Sequence, residues 1–339
     1  MGKDTLTVFS GLRQVAAILL IKIQYLWQCN IAIDYVMHYH WSNKQSSGII
    51  MDLVLLEKIK ILSIIAMVSN DELMEQLVLK GGNAIDLIYQ LSGRASIDID
   101  FSIPNEFRKD LLQNIRLKVE ESLISTFKPE GLVVIDVRLN ERPAIVDEKY
   151  RDFWGGYRIE FKIISKDIYE GNSGNISSLR RRAVVIGPHN STIFHIEISK
   201  FECCRYKNAM ELEGFTVYVY TTEMMVIEKI RAICQQVPEY RDILKTHRPV
   251  ARARDFFDIF TVLEIYPINF YDQRIKDIIQ EVFDIKKVPL SYLKKVREQK
   301  EFHRPDFVSV KDTVKAGVQL RDFDFYFDYV VSLLDSIVF

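Results

Sequence analysis

Lys80-Gly81-Gly82-Asn83 and, a helix-length later, Ile97-Asp98-Ile99-Asp100-Phe101-Ser102-Ile103 are the stretches whose reading decides how this chain folds. The second alternates apolar and polar residues, the period of a β-strand with one buried face. On such a strand Asp98 and Asp100 project from the same side, with Cα atoms about 6–7 Å apart. Carboxylates that close repel each other unless a cation holds them together. Their hard oxygens suit Mg²⁺, which takes one or two carboxylates together with substrate phosphates. Ions held this way activate an attacking oxygen and steady a leaving one in phosphoryl chemistry. The glycine pair supplies the other half. Gly81-Gly82 follows the short apolar strand Leu77-Val78-Leu79 and precedes a helical run of Ala84, Ile85, Leu87, Ile88 and Leu91, capped by Asn83. At such a turn phosphate oxygens approach backbone N–H groups, helped by the helix dipole. Alone, a Gly-Gly junction is usually only a tight turn and a D-x-D strand often a solvent-facing edge. Their order and short separation make the combination specific.

Working outward, residues 51–68 read as a helix with Lys58 and Lys60 on the wet side, and Ser69-Asn70-Asp71 caps a short helix reaching Leu77. Pro104-Asn105 ends the Asp-bearing strand and opens an amphipathic helix to about Phe127. Residues 132–139, 157–164 and 192–199 are further strands, β-branched and apolar. Glu170-Gly171-Asn172-Ser173-Gly174 is a loop, followed by Arg180-Arg181-Arg182. After Tyr220 the texture turns helical, at about 222–236, 251–264, 272–283, 289–299 and 322–337. The fold class is therefore α+β. A mixed α/β catalytic domain over 51–220 is expected, followed by a mainly helical domain over 221–339.

Residues 1–50 lack regular periodicity and read as an N-terminal extension of unassigned role, with Met51, where a clean amphipathic helix begins, as an alternative start. The apolar run 15–20 is interrupted by Lys22 and is too short to span a bilayer. His38 and His40 have no ligand cluster nearby.

The 339 residues are 48% apolar and 27% charged, the balance of a globular chain able to bury a large core. With 45 basic and 46 acidic residues the net charge is -1, so no global pull on nucleic acid exists and only a local basic face would provide one. Cys29, Cys203, Cys204 and Cys234 show neither a C-x-x-C pair nor zinc spacing, and Cys203-Cys204 read as core thiols. So few cysteines fit a reducing cytoplasm.

Lys80-Gly81-Gly82-Asn83-Ala84 and Gly93-Arg94-Ala95-Ser96-Ile97-Asp98-Ile99-Asp100-Phe101 together resemble the AbiEii/AbiGii toxin family, within the polymerase-beta-like nucleotidyltransferase superfamily. Its pattern is K-G-G-[ST]-A-L followed by R-x-S-x-D-I-D-[LF], and Asn83 stands where Ser or Thr is usual. The resemblance continues over roughly 51–335. Phe194-His195-Ile196-Glu197-Ile198-Ser199 resembles the strand that brings a third carboxylate, with Glu197 as candidate and Glu160 as rival. Thr222-Glu223 … Ile227-Glu228-Lys229-Ile230-Arg231-Ala232 resembles the family's lysine helix, and Arg252-Ala253-Arg254-Asp255-Phe256-Phe257-Asp258-Ile259 its R-D-x-x-D element.

The resemblance implies a nucleotidyltransferase-type mixed sheet with flanking helices. It also implies Mg²⁺ on Asp98, Asp100 and Glu197, and an NTP bound through Lys80, Gly81, Gly82, Asn83, Arg94 and Ser96. Lys229 would meet phosphates as a mobile point charge. Of Asp255 and Asp258, one would orient Lys229 or activate the acceptor hydroxyl, the other cap the helix or pair with Arg252 or Arg254. The implied activity is nucleotide transfer by the toxin of a toxin–antitoxin or phage-defence pair. RNA such as a tRNA end is one acceptor, with a cognate antitoxin as partner. A protein or an aminoglycoside-like small molecule is the alternative acceptor, and a catalytically inert binding protein the alternative to an enzyme. Arg180, Arg181, Arg182, Lys286, Lys287, Lys294, Lys295, Arg297 and Lys300 would hold an RNA backbone, with a solvated helix face as the alternative for Lys294, Lys295 and Arg297.

Overall fold

The alternating stretch forms an inner strand of a seven-stranded mixed sheet. In the computed structural model, which describes residues 53–91, 93–172, 174–186, 191–315 and 317–337, the strands are β1 (Val78–Lys80), β2 (Ile99–Ser102), β3 (Leu132–Arg142), β4 (Gly156–Ser165), β5 (Phe194–Ser199), β6 (Lys207–Leu212) and β7 (Phe215–Tyr220). Their order is β3-β4-β5-β2-β1-β7-β6. The β1–β7 and β2–β5 pairs are parallel and the other four antiparallel. The short first strands thus lie at the centre of the sheet, where both neighbours fix their register. The extension 1–50, with its apolar run, His38, His40 and Cys29, and the alternative start at Met51 lie outside the described residues.

Helices α1 (Leu53–Val68), α2 (Asp71–Gln76) and α3 (Leu112–Phe127) come from the first half, and α4 (Thr222–Cys234), α5 (Ala253–Ile265), α6 (Gln273–Ile285) and α7 (Phe323–Ser336) from the second. Residues 51–339 form one compact unit. Asn70 caps α2, its side chain accepting from the Leu73 N–H at 3.2 Å. In α1 Lys60 is buried rather than wet. The last three turns are apolar on nearly every side, as befits a helix enclosed between the rest of the core and α3. Burial pulls the Lys60 ammonium down, with Asp86 opposing.

Helix α3 starts later than Pro104-Asn105 suggested. Phe107 is buried against the Tyr157 ring at 4.9 Å, and its N–H donates to the Tyr157 hydroxyl, so residues 104–108 are pinned to the sheet before a 3₁₀ turn (Lys109–Leu111) leads into the helix. The β6–β7 hairpin was not read from the sequence. Its outer strand is an edge with only Leu212 buried, so it lacks an apolar stripe, while the turn at Glu213-Gly214 takes φ of 49° and 82° as tight hairpins require. The thiol burial expected of Cys203-Cys204 is found in full at Cys203 and in part at Cys204, and Cys234 is buried as well. Among the described residues no helix is long and apolar enough to cross a membrane.

Strand β4 enters the sheet at Gly156, which faces Ser199 of β5. A Cβ there would lie 2.3 Å from the Ile198 carbonyl oxygen, a backbone atom fixed by the ladder. Gly156→Ala is therefore expected to cost about 1–3 kcal/mol, the usual penalty for overpacking. Urea unfolding measures it, and an unchanged midpoint would refute the close approach.

Candidate active site

Strand register builds the site. Lys80 of β1 faces Asp100 of β2, Asp100 faces Glu197 of β5, and Glu197 faces Arg158 of β4. Residues directly opposite in a sheet share a face, at about 4.8 Å per strand. One row across four strands therefore reads cation, carboxylate, carboxylate, cation. Asp98 sits just before β2 and is exposed, whereas Asp100 is half-buried between Ile99 and Phe101, which are enclosed completely.

The glycine pair closes over this row. Gly81 has φ +73°, and a Cβ on it would lie 2.7 Å from Oδ2 of Asp100. A Cβ on Gly82 would lie 2.8 Å from Cβ of Ser96. Position 81 needs glycine for its positive φ beside the Asp100 side chain, and position 82 because Ser96 of the Asp98 loop lies against it. The segment that follows is a single α turn (Gly81–Asn83) merging into a π-helical turn (Ala84–Ile88), not the longer helix expected. So short an element carries little dipole, and a phosphate bound here relies on local N–H groups.

Apart from Asn83, Asp258 and the rival Glu160, every residue singled out for metal, nucleotide or catalysis lines one cleft of about 630 Å³. Asn83 neither caps the helix nor faces the cleft. It is fully buried, and its Nδ2 donates to the Asp98 carbonyl at 2.6 Å, tying the aspartate loop to the glycine turn. Glu197 lines the cleft, while the rival Glu160 lines a separate surface depression with Arg138, Lys162 and Arg180.

Two buried ion networks flank the row. In the first, Lys80 lies 3.1 Å from Glu228 and 3.7 Å from Glu202, Arg231 joins the same two glutamates at 2.8 and 3.5 Å, and Lys286 meets Glu202 at 3.3 Å. In the second, Arg94 grips Asp258 with two hydrogen bonds of 2.7 and 2.6 Å, Lys229 lies 2.8 Å from both Asp258 and Asp255, and Arg252 meets Asp255 at 3.0 Å. Lys229 is thus a buried, fixed charge rather than a mobile one. Burial alone would raise Asp255, but Lys229 and Arg252 hold its carboxyl well below the usual range. With both oxygens engaged it is a poor base and a good orienter.

Glu202, Glu228 and Arg231 were not singled out beforehand. Glu228 and Arg231 stand one turn apart on α4, the i,i+3 spacing of helix ion pairs, which was the available signal. Glu202, just past β5, gave none.

Lys286 was expected on a basic outer surface. It is buried instead, donating to the Lys200 and Phe153 carbonyls at 2.8 and 3.2 Å, and burial lowers its ammonium to about 8 against the pull of Glu202. Lys287, Lys295, Arg297, Lys300 and Arg180 pair with Asp152, Glu239, Asp335, Asp324 and Asp136. These five positions read as solvated, internally neutralised faces.

The chemistry of the row fits a divalent cation. Burial pushes Asp100 up to about 7; Lys80 opposes this, and Asp98, Glu228 and Glu197 add to it. Such a carboxylate gains from a positive ion beside it. Among the described residues no three carboxylate, thiol or imidazole groups converge on one point, since Glu197 is turned onto Arg158.

The model of the nucleotidyl transferase AbiEii toxin family, of a type IV toxin–antitoxin system, matches residues 64–329. Solved structures with a distant likeness include a protein from H. pylori provisionally assigned as a nucleotidyltransferase, 17% identical over 84% of this chain and 93% of that one, with a TM-score of 0.42. JHP933 from Helicobacter pylori matches at 17% identity and a TM-score of 0.42, over 84% and 90%. An antigenic nucleotidyltransferase-like protein from Paracoccidioides brasiliensis matches at 16% and 0.31, over 76% and 94%. A comparison with curated proteins finds no match.

With its folded value raised from 3.8 to about 7, Asp100 holds a proton in the folded chain that the unfolded chain has already lost. Without a cation, the stability linked to this group is full at acid pH and drains as pH climbs through that window. Asp100→Asn is expected to melt higher than the parent at pH 8 in a chelator, with the gap closing at pH 5. A gap that instead widened toward acid would contradict the assigned burial.

Proposed function

This chain belongs to the nucleotidyl transferase AbiEii toxin family and is a nucleotidyltransferase, and from that premise we propose that it moves a nucleotide from an NTP to an acceptor with Mg²⁺, as the toxin of a pair with a cognate antitoxin. The observation that carries this reading is the Lys80–Asp100–Glu197–Arg158 row with Gly81 pressed onto Asp100.

Asp98, Asp100 and Glu197 would hold the ion, which when bound supplies Lewis-acid stabilisation of phosphate charge. The backbone of Gly81-Gly82 and the Ser96 hydroxyl bind phosphate oxygens. Lys80, fixed by Glu228, keeps a positive charge next to Asp100. Arg94 braces the aspartate loop through Asp258. Asp255 orients Lys229, whose ammonium faces the cleft beside the phosphates.

For the acceptor we favour an RNA end. Arg254 is exposed on the cleft and has no ion pair among the described residues, a free charge suited to an incoming phosphodiester. The neutralised outer surfaces favour a second reading, a protein or small-molecule acceptor, because they offer no long basic track.

Incubation with each labelled NTP, Mg²⁺ and total RNA or lysate distinguishes these acceptors. Asp98→Ala and Asp100→Ala are each expected to lower transfer roughly a thousandfold or more, since the ion's charge stabilisation is worth several kcal/mol. Either variant retaining full activity would remove that aspartate from the site.

A further inference from the structure

One end of the cleft is chemically unlike the rest. Around the carboxylate row the walls are charged, but the loop before β4 contributes Trp154, and Pro143, Val250 and Ala251 also line the cleft. Val250 is 61% exposed, an apolar side chain left in water. Trp154 is half-buried, and its indole N–H has no acceptor among the described residues.

The indole is held in place although it faces the cleft. It packs edge-to-face on the His247 ring, with centroids 6.4 Å apart at 90°, and His247 packs in turn on Tyr240 at 5.2 Å and 85°. Tyr240 is anchored by its hydroxyl, which donates to the Lys286 carbonyl at 2.7 Å. The backbone is fixed as well. The Trp154 N–H donates to the Tyr150 carbonyl at 2.9 Å. Gly155 then takes φ +125°, and Gly156 presses on the Ile198 carbonyl. A braced aromatic ring loses little entropy when something stacks on it.

Distance suits one kind of ligand. Strand β4 begins at Gly156, about 7 Å at strand rise from Arg158, the end of the charged row, and Trp154 comes two loop residues before it. Asp100 lies two strands further in, about 10 Å across the sheet. A nucleotide whose phosphate sits on the row reaches toward this end with its base.

We propose that Trp154 is a stacking platform for a nucleobase, carried either by the NTP or by the terminal nucleotide of an RNA acceptor. This rests on the transfer reaction proposed above. Every base has a π face, so the platform tolerates all four bases and selection among them lies elsewhere.

Three probes test it on the full chain with Mg²⁺: a non-hydrolysable NTP analogue, inorganic triphosphate and a short single-stranded oligoribonucleotide, with Kd measured by calorimetry. Trp154→Leu is expected to weaken the analogue or the oligonucleotide roughly 5- to 100-fold, leave inorganic triphosphate unchanged, and be rescued by Trp154→Phe. Loss confined to the analogue assigns the NTP base, and loss confined to the oligonucleotide assigns the acceptor base. Unchanged affinity for both overturns the proposal, and so does an equal loss for inorganic triphosphate, which marks general damage. If the parent bound no NTP analogue at all, the transfer reading would fall first. If it bound the analogue and Trp154→Leu bound it equally well, with the oligonucleotide unaffected, only the platform would fall.

Discussion

Asp100 and Glu197 stand side by side on adjacent parallel strands, two like charges that the sheet will not let apart. The architecture around them answers that repulsion. Lys80 and Arg158 bracket the pair within the sheet. Beyond Lys80, glutamates from α4 and from the end of β5 are countered by Arg231 and Lys286. Groups this buried are costly unless each has a partner, and their alternation of sign supplies one. The sheet sets the problem and the helical half completes the solution.

The same arrangement explains the glycines. Ser96 of the Asp98 loop leaves no space for a side chain at position 82, and the Asp100 carboxylate crowds position 81. Asn83 then serves the loop rather than the ligand, a role a hydroxyl of shorter reach would fill less easily. Where Ser or Thr is usual, this chain has an internal hydrogen bond from Asn83.

Local periodicity made the inner strands and long helices legible, because Ile99 and Phe101, or the apolar face of α6, obey a short repeat. It failed where tertiary contact overrides local pattern. Lys60 looked wet because its helix was read as one-sided, and the start of α3 was misplaced because Phe107 docks on Tyr157. The candidate site divided in the same way. Asp98, Asp100 and the glycines lie close in sequence. Lys229 and Asp255 were reached through family resemblance rather than spacing. Glu202 had no local signal, since its significance comes from a helix almost thirty residues on. Lys286 was misjudged for the matching reason, because a lysine's burial depends on carbonyls more than eighty residues before it.

Glu228 and Lys229 are consecutive on α4, and about 100° of helical rotation sends one to each ion network. A helix that serves two partners through neighbouring residues tolerates no slip in phase. Inserting one residue upstream in α4 would bring Glu228 against Asp258 and leave Ile227 opposite Lys80, while deleting one would bring Lys229 against Lys80 and leave Ile230 opposite Asp258. The helical half therefore completes the charge balance of the sheet, and a different helical half would have to match both networks at once.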